Sequence, residues 1–346
     1  MEFFAAANSR NGFVSTFETT FSNVSRLYIL KGSSGCGKST FMRRVASEAQ
    51  KLGMETDLIC CSSDPDSLDG VIVRELGVAV ADGTAPHTMD VKYPCVRESI
   101  INLGQFWNES RLLPHSEKII SLTDRKSNHY NNAYRCLAAL GTVNDMITEL
   151  ISRALDREQL ETWAFRFTEK LSGKSASLYK ELFCSAFGAS GLKTKAVFGS
   201  VNTLYRVNGR GAHSLLFAIW QIAREKNISV IASRDPIDPS LVDALMFVES
   251  GVLITLRSNP PCSSFSEEKK ISTSRFTDAS RLAAVRSRLR LLDRTAIELS
   301  EEAKAELAAA KELHNTIESI YIPAMDFSAV DEYTESFCRR VIAERE

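Results

Sequence analysis

The residues best placed to do chemistry lie together in Gly32-Ser33-Ser34-Gly35-Cys36-Gly37-Lys38-Ser39-Thr40, directly after the apolar run Leu27-Tyr28-Ile29-Leu30. Glycines at this spacing let successive backbone N–H groups turn inward on a polyphosphate, and the lysine adds a cation for its β and γ phosphates. The serine after the lysine offers a hydroxyl to Mg²⁺. A strand leads into the motif, and Phe41-Met42-Arg43-Arg44-Val45-Ala46 follows with helical spacing, the setting in which this Walker A pattern binds ATP or GTP.

A second chemical position is Asp82, which ends the apolar run Gly77-Val78-Ala79-Val80-Ala81. An acid at the C-terminal end of a strand beside a phosphate loop is placed to support Mg²⁺, so Lys38, Ser39 and Asp82 form the expected catalytic and metal-binding set. Asp64 and Asp66 follow another predicted strand, Glu55 to Cys61. Asp64-Pro65 reads as a helix start with Asp64 as cap, which leaves Asp66 as the candidate for positioning water or an acceptor. His87 is a weaker catalytic candidate. Cys36, beside Lys38 at a helix N-terminus, has the surroundings of a reactive thiolate, but the sequence favours simple tolerance at a variable position of the loop.

The elements that must carry these residues are written twice. Phe4, Gly12, Phe21, Leu27, Tyr28 and Gly32 recur as Phe183, Gly191, Phe198, Leu204, Tyr205 and Gly209. Asp64-Pro65 recurs as Asp235-Pro236, and Ala154, Leu155, Asp156, Trp163 and Phe167 face Ala324, Met325, Asp326, Tyr333 and Phe337. Each half alternates strands and helices, which predicts an α/β fold of two tandem P-loop modules with parallel, doubly wound sheets. Long helices are expected over Ser116 to Leu155 and Asp278 to Ile322, packed together about a pseudo-twofold axis. The expected domains are 1–172 and 173–346, divided in the small polar stretch Ser172 to Ser177.

Only the first half keeps the chemistry. Asn208-Gly209-Arg210-Gly211-Ala212-His213-Ser214 is shorter than its counterpart and has His213 where Lys38 stands, while Leu256 replaces Asp82. Loss of the acid together with the lysine is what a shared role in binding Mg²⁺ and nucleotide produces. Arg125, Arg210 and Arg234 are arginine-finger candidates by residue type alone.

Composition sets outer limits. The 346 residues include 42 basic and 43 acidic side chains, so no overall field draws the chain to nucleic acid. No apolar run approaches the ~18 residues of a membrane span, and Met1 to Asn8 lacks the basic-then-apolar start of a secretory signal. A cytoplasmic protein is expected, with the nucleotide as ligand and the long helices as the surface for any protein partner.

Beyond these readings, Phe4 to Phe13, Leu30 to Thr40, Cys61 to Gly70, Asp82 to His87, Lys92-Tyr93-Pro94 and Ile101 to Gly104 resemble a family of uncharacterised bacterial ATPases with two tandem P-loop modules. The likeness implies nucleotide binding and hydrolysis. That family carries G-x-x-G-T-G-K-S in both halves, and this chain departs from it at Cys36 and across Gly209 to Ser214. Two further readings stay open: a small-molecule or nucleotide kinase, and a non-catalytic nucleotide-dependent switch or scaffold.

Overall fold

The computed structural model describes residues 1–171 and 179–344. The expected division at Ser172 to Ser177 lies outside the described residues.

The first half contributes strands β1 (Glu2–Phe4), β2 (Ala6–Ser9), β3 (Gly12–Ser15), β4 (Arg26–Lys31), β5 (Thr56–Cys60), β6 (Leu68–Val73), β7 (Val78–Asp82) and β8 (Glu98–Asn102). Its principal helices are α1 (Lys38–Lys51), α2 (Ser116–Ser152) and α3 (Arg157–Glu169). The second half repeats them as β9 (Tyr179–Leu182), β10 (Ser185–Gly188), β11 (Gly191–Thr194), β12 (Phe198–Asn208), β13 (Val230–Arg234), β14 (Val242–Phe247), β15 (Val252–Thr255) and β16 (Cys262–Ser272), with α4 (Ala212–Glu225), α5 (Ala279–Tyr321) and α6 (Phe327–Phe337).

The first sheet runs β1-β5-β6-β7-β4-β8 and the second β9-β13-β14-β15-β12-β16, so the duplication extends to topology. Neither sheet is wholly parallel, which corrects the sequence-based expectation. Strand β6 runs against both β5 and β7, and β14 against β13 and β15. The cause is connection length. Between β5 and β6 lies only the turn Cys61 to Ser67, whereas a parallel return needs a crossover of about a dozen residues or more. The same turn removes the helix expected after Asp64. Asp64 caps nothing; its carboxylate pairs with Lys311 of α5 at 2.9 Å.

Strand alternation divides the core into layers. Tyr28 and Leu30 of β4 face α1 together with Phe41, Met42 and Val45, while Leu27 and Ile29 face the other way. On that second face Phe3, Ile29 and Ala79 meet Val201, Leu204 and Leu253, so the two sheets share one central core. Phe4 and Phe183, equivalent residues, exchange backbone hydrogen bonds of 2.9 and 3.1 Å, as residues straddling a twofold axis must. The long helices α2 and α5 pack on one another through Leu137, Leu140, Ala303 and Leu307, and again through Leu150, Ile151, Leu289 and Leu292.

Each half lends its last helix to the other. Leu155 bridges Thr277, and α3 buries Leu160 and Ala164 against Leu216 and Ile219 of α4. Reciprocally Met325 bridges Trp107, and α6 buries Val330 and Phe337 against α1. The backbone hydrogen bonds repeat this exchange, Asp156 N–H to Phe276 O at 2.8 Å and Asp326 N–H to Phe106 O at 3.0 Å. Among the described residues no helix is long and apolar enough to cross a membrane.

Candidate functional site

Strand β4 delivers the chain into the loop, and the loop turns into α1 at Lys38. Gly35 and Gly37 have φ of +74° and +87°, the left-handed region that side chains disfavour. At Gly32 the constraint is space, since a Cβ there would come 2.5 Å from Cys36 Sγ. Cys36 is thus a packing residue. It is buried, and burial pushes its thiol up while Lys38 acts in the opposite sense. A thiol shielded and protonated in this way is not a reactive nucleophile.

Lys38 curls back over the loop. Its Nζ donates to the carbonyls of Gly32 and Ser33 at 3.1 and 2.9 Å and lies 3.6 Å from Asp82 Oδ2. Asp82 is fixed from the other side by the N–H of Thr84 at 2.8 Å, and the Thr84 hydroxyl donates to Gly32 O at 2.7 Å. Burial pushes the Asp82 carboxyl above the ordinary carboxylate range, with Lys38 opposing the shift. Ser39 Oγ accepts from the N–H of Leu68 at 3.0 Å, so the first residue of β6 buttresses the loop. The structure therefore brings Asp82 to Lys38, with Ser39 next to the lysine in the first turn of α1.

Other candidates fall elsewhere. Asp66 is exposed on the turn before β6, its carbonyl accepting from Arg43 of α1. His87 is buried under the sheet edge, stacked on Phe17 at 4.6 Å and edge-on to Phe13 at 4.8 Å. Its Nε2 approaches Asp69 Oδ2 at 3.1 Å. Arg210 is held bidentate by Asp293 at 2.8 and 2.6 Å, and Arg234 pairs with Glu181 at 2.7 Å over the Trp220 ring. Both arginines are committed within the second half. Arg125 stands exposed on α2.

Three residues at the site carry no local motif. Asp69 lies in β6, where an acid interrupts an apolar strand. His314 and Glu318 come from the end of α5, which rests on the loop. Ser34 Oγ and His314 Nδ1 are 3.3 Å apart, and His314 Nε2 reaches Glu318 Oε1 at 3.4 Å. A Cβ on Gly35 would stand 3.1 Å from Ile322 Cγ1 and 3.5 Å from the Glu318 carbonyl. His314, followed by the Gly35 N–H and Lys38, holds the Glu318 carboxyl below its ordinary range.

The corresponding place in the second half is filled from within. A Cβ on Gly209 would lie 2.5 Å from Thr273 Oγ1, and that hydroxyl donates to Asn208 O at 3.0 Å while accepting from the Gly211 N–H at 3.2 Å. Arg257 bridges two acids, 2.7 Å from Asp243 and 2.9 Å from Asp235. Burial still outweighs the guanidinium and pushes Asp243 up to about 6.

That shift has a definite sign. A carboxyl raised above its unfolded value contributes stability fully below about pH 4, and loses it as pH rises through the folded-state value. Replacing Asp243 with Asn should therefore flatten the decline in stability, a difference of about 2 kcal/mol between about pH 4.5 and about pH 7.5. Urea midpoints of the two proteins at both pH values measure it; parallel curves would show that Arg257 compensates the charge completely.

No protein-family model matches the chain, and neither a curated protein nor a solved structure is significantly similar to it.

Proposed function

We propose that the first half binds ATP or GTP with Mg²⁺ at Gly32 to Thr40 and hydrolyses the γ phosphate, with the second half as its structural or regulatory partner. The observation that carries this reading is the Lys38–Asp82 pair, 3.6 Å apart at a loop of left-handed glycines, in one half only. Lys38 exchanges the Gly32 and Ser33 carbonyls for the β and γ phosphates, and the loop amides take the remaining oxygens. Ser39, and Asp82 through water, would hold Mg²⁺, which would supply charge neutralisation at the phosphates.

These residues fit such an ion. Among the described residues no group of three or more His, Cys, Asp or Glu is arranged to hold a metal. Mg²⁺ accompanying a nucleotide needs only one or two protein ligands besides phosphate and water. Hydrolysis is favoured over kinase chemistry because Asp66 is exposed and His87 is enclosed by aromatic rings. A switch is the second reading, favoured by the Ser34–His314 contact that connects the loop to the long helices.

The test is binding of ATP and GTP together with phosphate release by the full chain. One nucleotide per chain is expected, since Thr273 fills the second loop. Binding without release, accompanied by altered hydrogen exchange near His314, would establish the switch. Two equivalent sites would refute the assignment of the second half.

A further inference from the structure

Asp69 and Asp243 are equivalent acids with different surroundings. In each half the strand pairing skips a residue: Ile59 faces Gly70 and Cys60 faces Leu68, just as Ser233 faces Ala244 and Arg234 faces Val242. The extra residue is Asp69 in one sheet and Asp243 in the other. A bulge bends its strand and re-aims a side chain, and here it does so beside the loop. Both acids are buried, Asp69 at 4% exposed and Asp243 at 0%.

A buried carboxylate needs a counter-charge or hydrogen bonds. Asp243 has Arg257 at 2.7 Å on Oδ2, so its charge is met even though its Oδ1 is buried without a partner. Aligning Val78 with Val252 sets Asp82 against Leu256 and Gly83 against Arg257. A guanidinium has no room on the first side, because a Cβ at Gly83 would come 2.3 Å from Ile29 Cγ2. Asp69 has instead His87 Nε2 at 3.1 Å, close enough for an ion pair yet not aligned for a hydrogen bond, so that Asp69 Oδ2 is buried and unsatisfied.

The neighbours of Asp69 belong to the phosphate loop. Leu68, the preceding residue, donates to Ser39 Oγ at 3.0 Å. Gly70, the following residue, pairs with Ala81, so Asp69 flanks Asp82 across the two strands. In the first half Lys38 pairs with Asp82 and leaves Asp69 only His87 beside it, whereas in the second half Arg257 reaches Asp243 directly.

We propose that Asp69 is a positioning residue of the nucleotide site: its carboxylate receives a water of the hydrated divalent cation that enters with the nucleotide. Arg257 is the covalent replacement for that cation in the half that takes no nucleotide. His87 orients Asp69 and stays outside the reacting groups. The inference rests on the nucleotide-binding reading above and adds Asp69 to it.

Calorimetric titration of the full chain with ATP, and with GTP, is carried out in Mg²⁺ and again in EDTA. Mg²⁺ should tighten binding to the wild-type protein, and Asp69→Asn should reduce that enhancement about tenfold or more, the usual effect of losing a partner to a metal's ligands. Affinity in EDTA should be unchanged or improved, because one negative charge has gone. An undiminished Mg²⁺ enhancement in Asp69→Asn overturns the proposal, and so does an equal loss with and without Mg²⁺, which marks a structural role. Should Asp69→Asn fail to fold, His87→Gln replaces it: a reduced enhancement is expected, and one equal to wild type overturns the idea. If the wild-type chain binds neither nucleotide, the nucleotide reading falls and this inference with it; wild-type binding combined with an intact enhancement in the variant removes this inference alone.

Discussion

Replacing Phe337 with alanine is expected to destabilise the protein by about 3–5 kcal/mol, the range for deleting a buried phenyl ring, and to do so in the half of the chain that does not encode it. Phe337 is 1% exposed, with its ring 4.8 Å from Tyr28 and 5.1 Å from Phe41. Tyr28 lies on the strand that enters the loop Gly32 to Thr40 and Phe41 on the first turn of α1, so the cavity opens under that loop. Edge-on and tilted ring pairs add about 1 kcal/mol to the burial term. Urea unfolding reads the stability loss, and hydrogen exchange locates it: protection should fall across Lys38–Lys51 before Ala212–Glu225. Phe167 offers an internal comparison, because it is half-buried and meets Tyr205, the equivalent of Tyr28, at 5.1 Å. Its removal should cost less and act on the second half. Loss of protection confined to Phe327–Phe337 would mean that α6 rests on α1 without supporting it.

Sequence reveals the loop because its requirement is local: left-handed glycines, a lysine and a serine must be contiguous. It reveals the pairing of Lys38 with Asp82 because the duplication removes both together, although the two stand 44 positions apart and nothing local links them. Strand β6 is less legible: the sequence reads there as a turn and short helix before the strand at Gly77, and the direction of β6 is hidden as well. An apolar run reads the same whether a strand lies parallel or antiparallel, and only the shortness of Cys61 to Ser67 decides it. The exchange of α3 and α6 is invisible in sequence, since Phe337 and Phe167 serve as core residues whichever half they pack against. Asp69 has a weak signal, an acid recurring as Asp243 inside an apolar strand, but its meaning depends on the bulge and on Arg257. His314 and Glu318 have none. Helical periodicity assigns them to a helix without saying that its last turns end on Ser34 and Gly35.

Lys38→Ala should weaken nucleotide binding about 100-fold, close to 3 kcal/mol, the sum of two charge-assisted hydrogen bonds of about 1.5 kcal/mol each. The free chain shows why the lysine is available for that work. Its ammonium is held by the neutral carbonyls of Gly32 and Ser33, partners that a polyphosphate outmatches, with Asp82 3.6 Å away as a second anchor. Glu318 predicts the opposite sign. Its carboxylate, 3.4 Å from His314, is held low first by that histidine and then by the Gly35 N–H and Lys38, two groups the proposed nucleotide would use, so a phosphate there would meet an anion already in place. Glu318→Gln keeps the shape and removes the charge, and should tighten binding several-fold at low ionic strength and less at high salt, since the residue is only partly buried. One titration series with both variants measures the two effects together. Unchanged affinity in Lys38→Ala would place the nucleotide away from this loop, whereas weaker binding in Glu318→Gln would show that the acid of α5 assists the ligand through its hold on His314 and Ser34.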